Sequence, residues 1–116
     1  MDKLYEQTML FDFYGELLTE HQRRVYEDAV YNDLSLSEIA EEQGISRQGV
    51  HDLVKRCDRI LQDYESKLHL VERFSKARAT VMKIQELAED GGKQEADIRE
   101  SLRDIGLLAG ELLKEL

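Results

Sequence analysis

Apolar residues recur with the spacing of α-helices along most of this chain. Between Leu4 and Leu18 they fall on two adjoining helical faces: Leu4, Phe11, Tyr14 and Leu18 on one, and Leu10, Phe13 and Leu17 on the other. A second helix is predicted after Thr19, with four residues directed inward: Val25, Tyr26, Ala29 and Val30. The chain has no proline and is rich in helix formers such as Leu, Glu and Lys. We therefore predict an all-α fold.

Helix-starting signals appear twice before residue 40. Thr19 with Gln22 and Ser35 with Glu38 have the form of capping boxes, in which each side chain bonds an unpaired backbone amide of the other residue. Turn-forming residues lie between the two helices at positions 31–33. A short third helix is therefore predicted to begin just after Ser35.

The residues from Leu36 to Lys55 have the pattern of a helix-turn-helix. Such a module needs a small residue where its helices cross, a glycine at the turn and an aliphatic anchor in the second helix. Those positions hold Ala40, Gly44 and Val50, and the other core positions hold Ile39, Ile45 and Leu53. Glycine enters the left-handed region that ends many helices without strain, and Ser46 is placed to cap the next helix.

The second half of the chain predicts a helical hairpin. No proline and only one glycine lie between Ser46 and Asp90, but the apolar stripe changes phase near Ser66, where we expect a kink or break. Asp90-Gly91-Gly92 predicts a turn, and a heptad-like seam follows it: Ile98, Leu102, Ile105, Ala109, Leu112 and Leu116. We predict a helix-turn-helix module over residues 1–65 and an antiparallel hairpin over residues 66–116.

The last helix carries more apolar residues than its seam requires. Leu107, Leu108 and Leu113 lie off the seam, and surplus apolar surface predicts a second contact, either with the first module or with another subunit. The two stripes on either side of Ser66 and the seam after Gly92 make three apolar seams, which is more than a two-helix tail needs, so we predict a homodimer.

The outward residues of the second helix of the helix-turn-helix are candidates for DNA binding. In such modules this helix lies in the major groove, where Arg suits guanine, Gln suits adenine and Lys or Arg contacts phosphates. The candidates are Ser46, Arg47, Gln48, His51, Lys55 and Arg56. Because Asp52, Asp58 and Asp63 interrupt this basic face, an ordinary solvated helix face is the alternative interpretation.

A second basic patch lies in the one long stretch free of acids, from Arg73 to Gln85. It comprises Arg73, Lys76, Arg78 and Lys83. A phosphate-binding stripe, including one for RNA, is one interpretation. A solvated helix face is the simpler interpretation and the one we favour.

The net charge weighs against nucleic acid as the partner. It is −9 at pH 7, and no region is basic overall: residues 19–65 carry eleven acids and six bases, and residues 66–116 carry ten and nine. Affinity for phosphate comes from Lys and Arg that displace counterions. The charge therefore favours a basic protein surface as partner, whereas the candidate helix favours DNA.

Residue types and spacings predict no catalytic, metal or cofactor site. The three histidines have no Cys or His neighbour at metal-ligand spacing, and Cys57 lies on an apolar stripe with no base in evidence. We therefore predict that the protein is not an enzyme. The chain has no apolar run of membrane-spanning length, so we expect no membrane insertion and a cytoplasmic location.

Several stretches resemble known families. The segments LTEHQRRVY, LSLSEIAEEQGISRQGV and LVKR, within residues 18–56, resemble the fourth region of bacterial sigma factors, which binds the promoter −35 element. With LFDFYGELLTEHQ and KLHLVERF included, nearly the whole chain resembles the YlxM-like family of small helix-turn-helix proteins. Sigma recognition helices are richer in Arg where this chain has Gly49 and Asp52.

These resemblances imply two functions. The sigma-like module implies a DNA-binding regulator. The YlxM-like family is typically encoded beside the signal recognition particle GTPases, which implies a role in that protein-targeting pathway or in its regulation. The alternative to DNA binding is an interaction module that contacts signal recognition particle components.

Overall fold

The computed structural model describes residues 2–90 and 94–116, over which the chain forms six α-helices and one 3-10 turn, with no strand. The helices are α1 (Lys3–Tyr14), α2 (Glu20–Val30), α3 (Leu36–Gln43), α4 (Arg47–Leu68), α5 (Leu70–Asp90) and α6 (Glu95–Glu115), and the 3-10 turn is Gly15–Leu17. The all-α prediction is confirmed. The residues group into two compact units, Met1–Val71 and Glu72–Leu116.

Both predicted capping boxes are present. The Thr19 hydroxyl accepts the Gln22 amide at 3.2 Å while the Gln22 side chain accepts the Thr19 amide at 3.0 Å, and Ser35 and Glu38 make the same reciprocal pair at 3.1 Å. Each box pairs backbone amides that the first helical turn leaves without a partner. These side chains explain why α2 and α3 begin where they do.

The first helix is shorter than its apolar pattern predicts. It ends at Tyr14 and passes into the 3-10 turn, after which Leu18 is extended and buried. A side chain on Gly15 would meet the Phe11 ring at 3.0 Å, so glycine permits the tight turn beside that ring. The predicted continuous helix to Leu18 is therefore wrong by its last turn, and Leu17 is 54% exposed.

The core of the first unit consists of two clusters that follow one another along a single side of α4. One cluster joins α4 to the first two helices and contains Leu10, Tyr14, Leu18, Tyr26, Val30, Cys57 and Leu61. The other is the core of the helix-turn-helix and contains Val25, Ile39, Ala40 and Val50. The inward residues predicted for α2 are thus buried or half-buried. One long helix organises both clusters.

Helices α1 and α4 run side by side in the same direction with a constant offset. Gln7 Nε2 donates to Asp58 Oδ1 at 3.0 Å, and the Tyr14 hydroxyl donates to Glu65 Oε1 at 2.5 Å; the partners are 51 positions apart in both pairs. Tyr26 of α2 also donates to Asp58, at 2.6 Å. Two carboxylates on α4 therefore hold the packing of α1 and α2 in register.

The predicted break near Ser66 occurs three residues later, at His69. This residue has a φ of 56°, in the left-handed region, and separates α4 from α5. Beyond it, the Leu70 amide donates to the Tyr14 hydroxyl at 3.1 Å and the Val71 amide donates to Glu65 Oε1 at 3.0 Å. Because these bonds satisfy the first amides of α5, the break is held by α1 and the end of α4.

The second unit is an antiparallel hairpin, as the seams predicted. Arg73 Nη2, near the start of the unit, donates to the backbone oxygen of Glu115 at the end of α6, at 2.9 Å. The predicted turn residues Gly91 and Gly92 lie outside the described residues. Within residues 72–89 and 94–116 no side chain is buried, and Leu102, Leu107 and Leu113 are each more than 60% exposed.

Candidate nucleic-acid interface

The predicted helix-turn-helix frame is formed by α3 and α4. Ile39 and Val50 are fully buried and Ala40 is 7% exposed, with Ile45 and Leu53 packed against them. Gly44 ends α3 with a φ of 69°, the left-handed conformation that the frame requires of a glycine. The fold prediction for this segment is confirmed at every core position.

Ser46, the first candidate, is the N-cap of α4. Its Oγ accepts the Gly49 amide at 2.9 Å, and a side chain at Gly49 would meet that oxygen at 3.1 Å. The hydroxyl is therefore committed to the start of the helix. Gly49 leaves it room, which accounts for a small residue at this position.

Four of the other candidates share one side of α4. At about 100° per residue, Arg47, His51, Lys55 and Gln48 lie within about 100° of one another and outside the buried stripe. All four are exposed. Arg56 is exposed as well, but it lies about 180° from Arg47 around the helix and borders this face rather than belonging to it.

Arg59 also belongs to the face, although it is not among the candidates predicted from the sequence. It is exposed, and it lies about 20° from Gln48 around the axis, three turns further along the helix. Its spacing of four from Lys55 was the available signal. We call Arg47, Gln48, His51, Lys55 and Arg59 the reading face.

One acid, Asp52, lies at the edge of the reading face. Asp52 Oδ1 accepts from Gln48 Nε2 at 2.9 Å and lies 3.6 Å from His51 Nδ1. In the free protein the carboxylate therefore holds the Gln48 side chain and lies beside that of His51, two candidate base-reading residues. It also lowers the positive potential where a phosphate-bearing ligand would approach.

The cations of α4 between Arg47 and Arg59 differ from three other cations of the same unit, which bond carboxylates. These three pairs are Arg23 with Glu16 at 3.0 Å, Arg24 with Glu20 at 3.0 Å and, near the end of α4, Lys67 with Asp63 at 3.1 Å. In the described part of the chain, none of the cations of α4 from Arg47 to Arg59 makes an ion pair: Arg47, Lys55, Arg56 and Arg59. Their charge is available to an anionic partner.

Cys57 lies on the opposite side of α4 and is fully buried, as its place on the apolar stripe predicted. Burial, and next the Asp58 carboxylate, raise the pKa of this thiol to about 11. The thiol is therefore protonated at neutral pH, and since only the thiolate is a good nucleophile, its role is packing.

The second basic patch is exposed, but three of its four members have partners inside the hairpin. Arg73 bonds the Glu115 carbonyl, and Lys76 pairs with Glu72 at 3.2 Å. Arg78 donates to the Met82 sulfur at 3.4 Å, and Lys83 is exposed on the same helix. This arrangement suits a solvated face, and phosphate binding by the patch stays a prediction.

Comparison with known proteins places these features in a family. A family model described as "Putative helix-turn-helix protein, YlxM / p13 like" matches residues 1–101. A UPF0122 protein of Clostridium botulinum is 47% identical over 90 residues, covering 77% of this chain and 83% of that protein. A UPF0122 protein of Bacillus thuringiensis is 37% identical over 105 residues, covering 90% and 92%.

The described residues contain no helix with the length and apolar character needed to cross a bilayer.

A UPF0122 protein of Acetivibrio thermocellus adds a third relative, 46% identical over 84 residues and covering 72% of each chain. The family match spans the helix-turn-helix, the α4–α5 break and part of the hairpin. The chain belongs to the UPF0122 family of YlxM/p13-like helix-turn-helix proteins.

Proposed function

We propose that this protein is a DNA-binding regulator that places α4 in the major groove of duplex DNA. The observation that carries the proposal is the row of exposed cations without ion-pair partners on α4, from Arg47 to Arg59, beside a complete helix-turn-helix core. Electrostatic attraction to phosphate needs such cations even where the whole chain is acidic.

The reading face divides into two parts along the helix. Arg47, Gln48 and His51 lie in the first turns of α4, which in helix-turn-helix proteins contact base edges. Lys55 and Arg59 lie further along, where they suit the phosphate backbone. On this proposal the protein binds DNA and has no catalytic activity. Because its target is chromosomal DNA, we place it in the cytoplasm.

Fluorescence anisotropy with labelled duplexes at low salt tests the proposal. The set includes the region upstream of the protein's own gene and an unrelated duplex. Arg47→Ala should weaken binding about 5- to 100-fold, the range for loss of one specific base contact. The matched control is Arg99→Ala, because Arg99 is exposed on α6 and paired with Glu95 at 3.1 Å.

Asp52→Asn provides a test with the opposite sign. Asparagine keeps the size of the side chain and removes a negative charge from the reading face, so DNA affinity should rise and its salt dependence should steepen. A wild-type protein that binds no duplex at low salt contradicts the proposal. So does an Asp52→Asn variant that binds DNA more weakly than wild type.

We further propose that the protein is a homodimer joined through the hairpin. The observation is the absence of any buried side chain in residues 72–89 and 94–116, together with the exposure of Leu102 and Leu113 on one side of α6. A second copy offers the same apolar surface, and the hairpin region is nearly neutral, so two copies repel each other little. Two recognition helices would then meet successive DNA half-sites.

Light scattering tests the dimer. The wild type should have a dimer mass at micromolar concentration, and Leu113→Glu should give a monomer with unchanged far-ultraviolet helicity, because this side chain is 73% exposed. A monomeric wild type would contradict the dimer without affecting DNA binding by one module.

A second candidate function is contact with signal recognition particle components. The observation that favours it is the acidic outer surface of α3, where Glu38, Glu41 and Glu42 are exposed within a region of eleven acids and six bases. Such a surface complements a basic protein and would make association salt-sensitive. Titration with the purified particle tests this: Glu41→Lys should weaken binding, and no association at low salt would contradict it.

A further inference from the structure

The parallel packing of α1 against α4 brings a residue from outside the helix-turn-helix to the reading face. Gln7 meets Asp58 and Tyr14 meets Glu65, both with an offset of 51 residues. The same offset carried to the start of α1 places Lys3 beside residues 54 and 55 of α4. Lys3 is exposed, and Lys55 belongs to the reading face.

The two ammonium groups are close enough to perturb each other. Contact with Lys3 and repulsion from its charge lower the pKa of Lys55, while the nearby Asp58 has a smaller opposing influence. Asp58 Oδ1 is engaged by the Tyr26 hydroxyl at 2.6 Å and by Gln7 Nε2 at 3.0 Å. The carboxylate that acts on Lys55 is therefore engaged in holding the helices together.

We propose that Lys3 and Lys55 together bind a phosphate of the DNA backbone beside the α4 reading face. This inference rests on the proposed DNA-binding function. A phosphodiester oxygen accepts hydrogen bonds from both ammonium groups, and its negative charge offsets their mutual repulsion. The pair lies on two helices held in register, so the contact would fix the orientation of α4 on the duplex rather than read its sequence.

The pair also gives α1 a role in binding that the helix-turn-helix frame does not contain. Because backbone contacts are the same for every sequence, Lys3 should add affinity equally on specific and unrelated duplexes. Arg47, at the start of α4, should instead discriminate between them. This difference separates the phosphate contact from a general loss of the reading face.

The test is the dependence of DNA affinity on salt concentration for wild type, Lys3→Ala, Lys55→Ala and a control, Lys67→Ala. The control removes a lysine from the same helix that is already paired with Asp63 at 3.1 Å. Lys3→Ala and Lys55→Ala should each weaken binding to all duplexes alike and make the slope of log K against log salt shallower by about 1. Lys67→Ala should leave the slope unchanged.

A measurement without DNA checks the pairing itself. Lys3→Ala should raise the pKa of Lys55, followed by NMR of its side chain, since the repelling charge is gone. If wild type and Lys3→Ala show the same slope and affinity, the phosphate contact is overturned while DNA binding stands. Equal effects of Lys3→Ala and Lys67→Ala overturn it too, because they indicate only non-specific charge. If wild type binds no duplex, the proposed function fails and this inference fails with it.

Discussion

Removal of one hydroxyl should loosen the junction between α4 and α5. The Tyr14 hydroxyl donates to Glu65 Oε1 at 2.5 Å and accepts the Leu70 amide at 3.1 Å, and its residue is only 1% exposed. Tyr14→Phe keeps the ring and deletes both bonds. Glu65 then retains the Val71 amide as a donor, and His69 keeps a left-handed conformation with less support.

The expected cost follows from the type of bond that is lost. A hydrogen bond to a charged group contributes about 1.5–3 kcal/mol to folding. The Leu70 amide adds little, because Leu70 is 39% exposed and water can replace the hydroxyl. We therefore expect Tyr14→Phe to lower the free energy of unfolding by about 2 kcal/mol.

Urea unfolding and amide hydrogen exchange measure the global and local effects. If the Leu70 and Val71 amides exchange through unfolding of the first unit, a loss of about 2 kcal/mol makes their exchange roughly 30-fold faster. The control is Tyr64→Phe, whose ring stacks on Tyr14 with centroids 6.0 Å apart. The Tyr64 hydroxyl makes no hydrogen bond to any described residue, so the control should change stability by less than about 0.5 kcal/mol.

Equal stability of Tyr14→Phe and Tyr64→Phe would refute this reasoning. Unchanged protection of the Leu70 and Val71 amides would refute it as well, because the junction would then be held without the hydroxyl. If amide protection is lost evenly over α3 and not at residues 69–71, the hydrogen bond supports the core of the first unit rather than the break between α4 and α5.

Two further predictions concern the glycines and the buried thiol. Gly44→Ala should destabilise the first unit by about 1–2 kcal/mol, because Gly44 has a φ of 69°. Gly106→Ala should stabilise α6 by about 0.5–1 kcal/mol, because the space around the added carbon is open. Calorimetry that finds Gly106→Ala the more destabilising of the two contradicts this prediction. Since the pKa of Cys57 rises from 9.0 to about 11 on folding, its protonated thiol contributes stability fully below pH 9, and that contribution is lost as the pH rises to 11. Urea unfolding across this range should show a smaller decline for Cys57→Ala, and equal declines would count against it.

The short-range features of the fold were predictable from the residues alone. The Ser35–Glu38 box, the Gly44 turn and the Ser46 cap act over three or four positions, so their chemistry is visible in the chain. The same holds for the inward positions of the helix-turn-helix, because helical periodicity assigns them to one face. Most residues of the reading face were also predictable, because they are the positions of α4 that remain once the core positions are assigned.

Contacts between residues distant in sequence could not be predicted from the residues alone. Nothing near His69 obliges a helix to end there, and the break depends on Tyr14, which reaches it from α1. The early end of α1 at Tyr14 depends on how the Phe11 ring packs beside Gly15. Packing between distant parts of the chain determines both features, and the spacing of apolar residues along one helix does not show how that helix packs against another.

The reading face shows the same division. Residue spacing alone predicts that α4 presents Arg47, Gln48, His51 and Lys55 to solvent, because it places them outside the apolar stripe that is buried. The approach of Lys3 to Lys55 instead depends on how α1 packs against α4, since the two helices are joined by side-chain pairs 51 residues apart. The reason is physical: backbone hydrogen bonds reach four residues along a helix, whereas the side-chain packing that aligns two helices is independent of their separation in sequence.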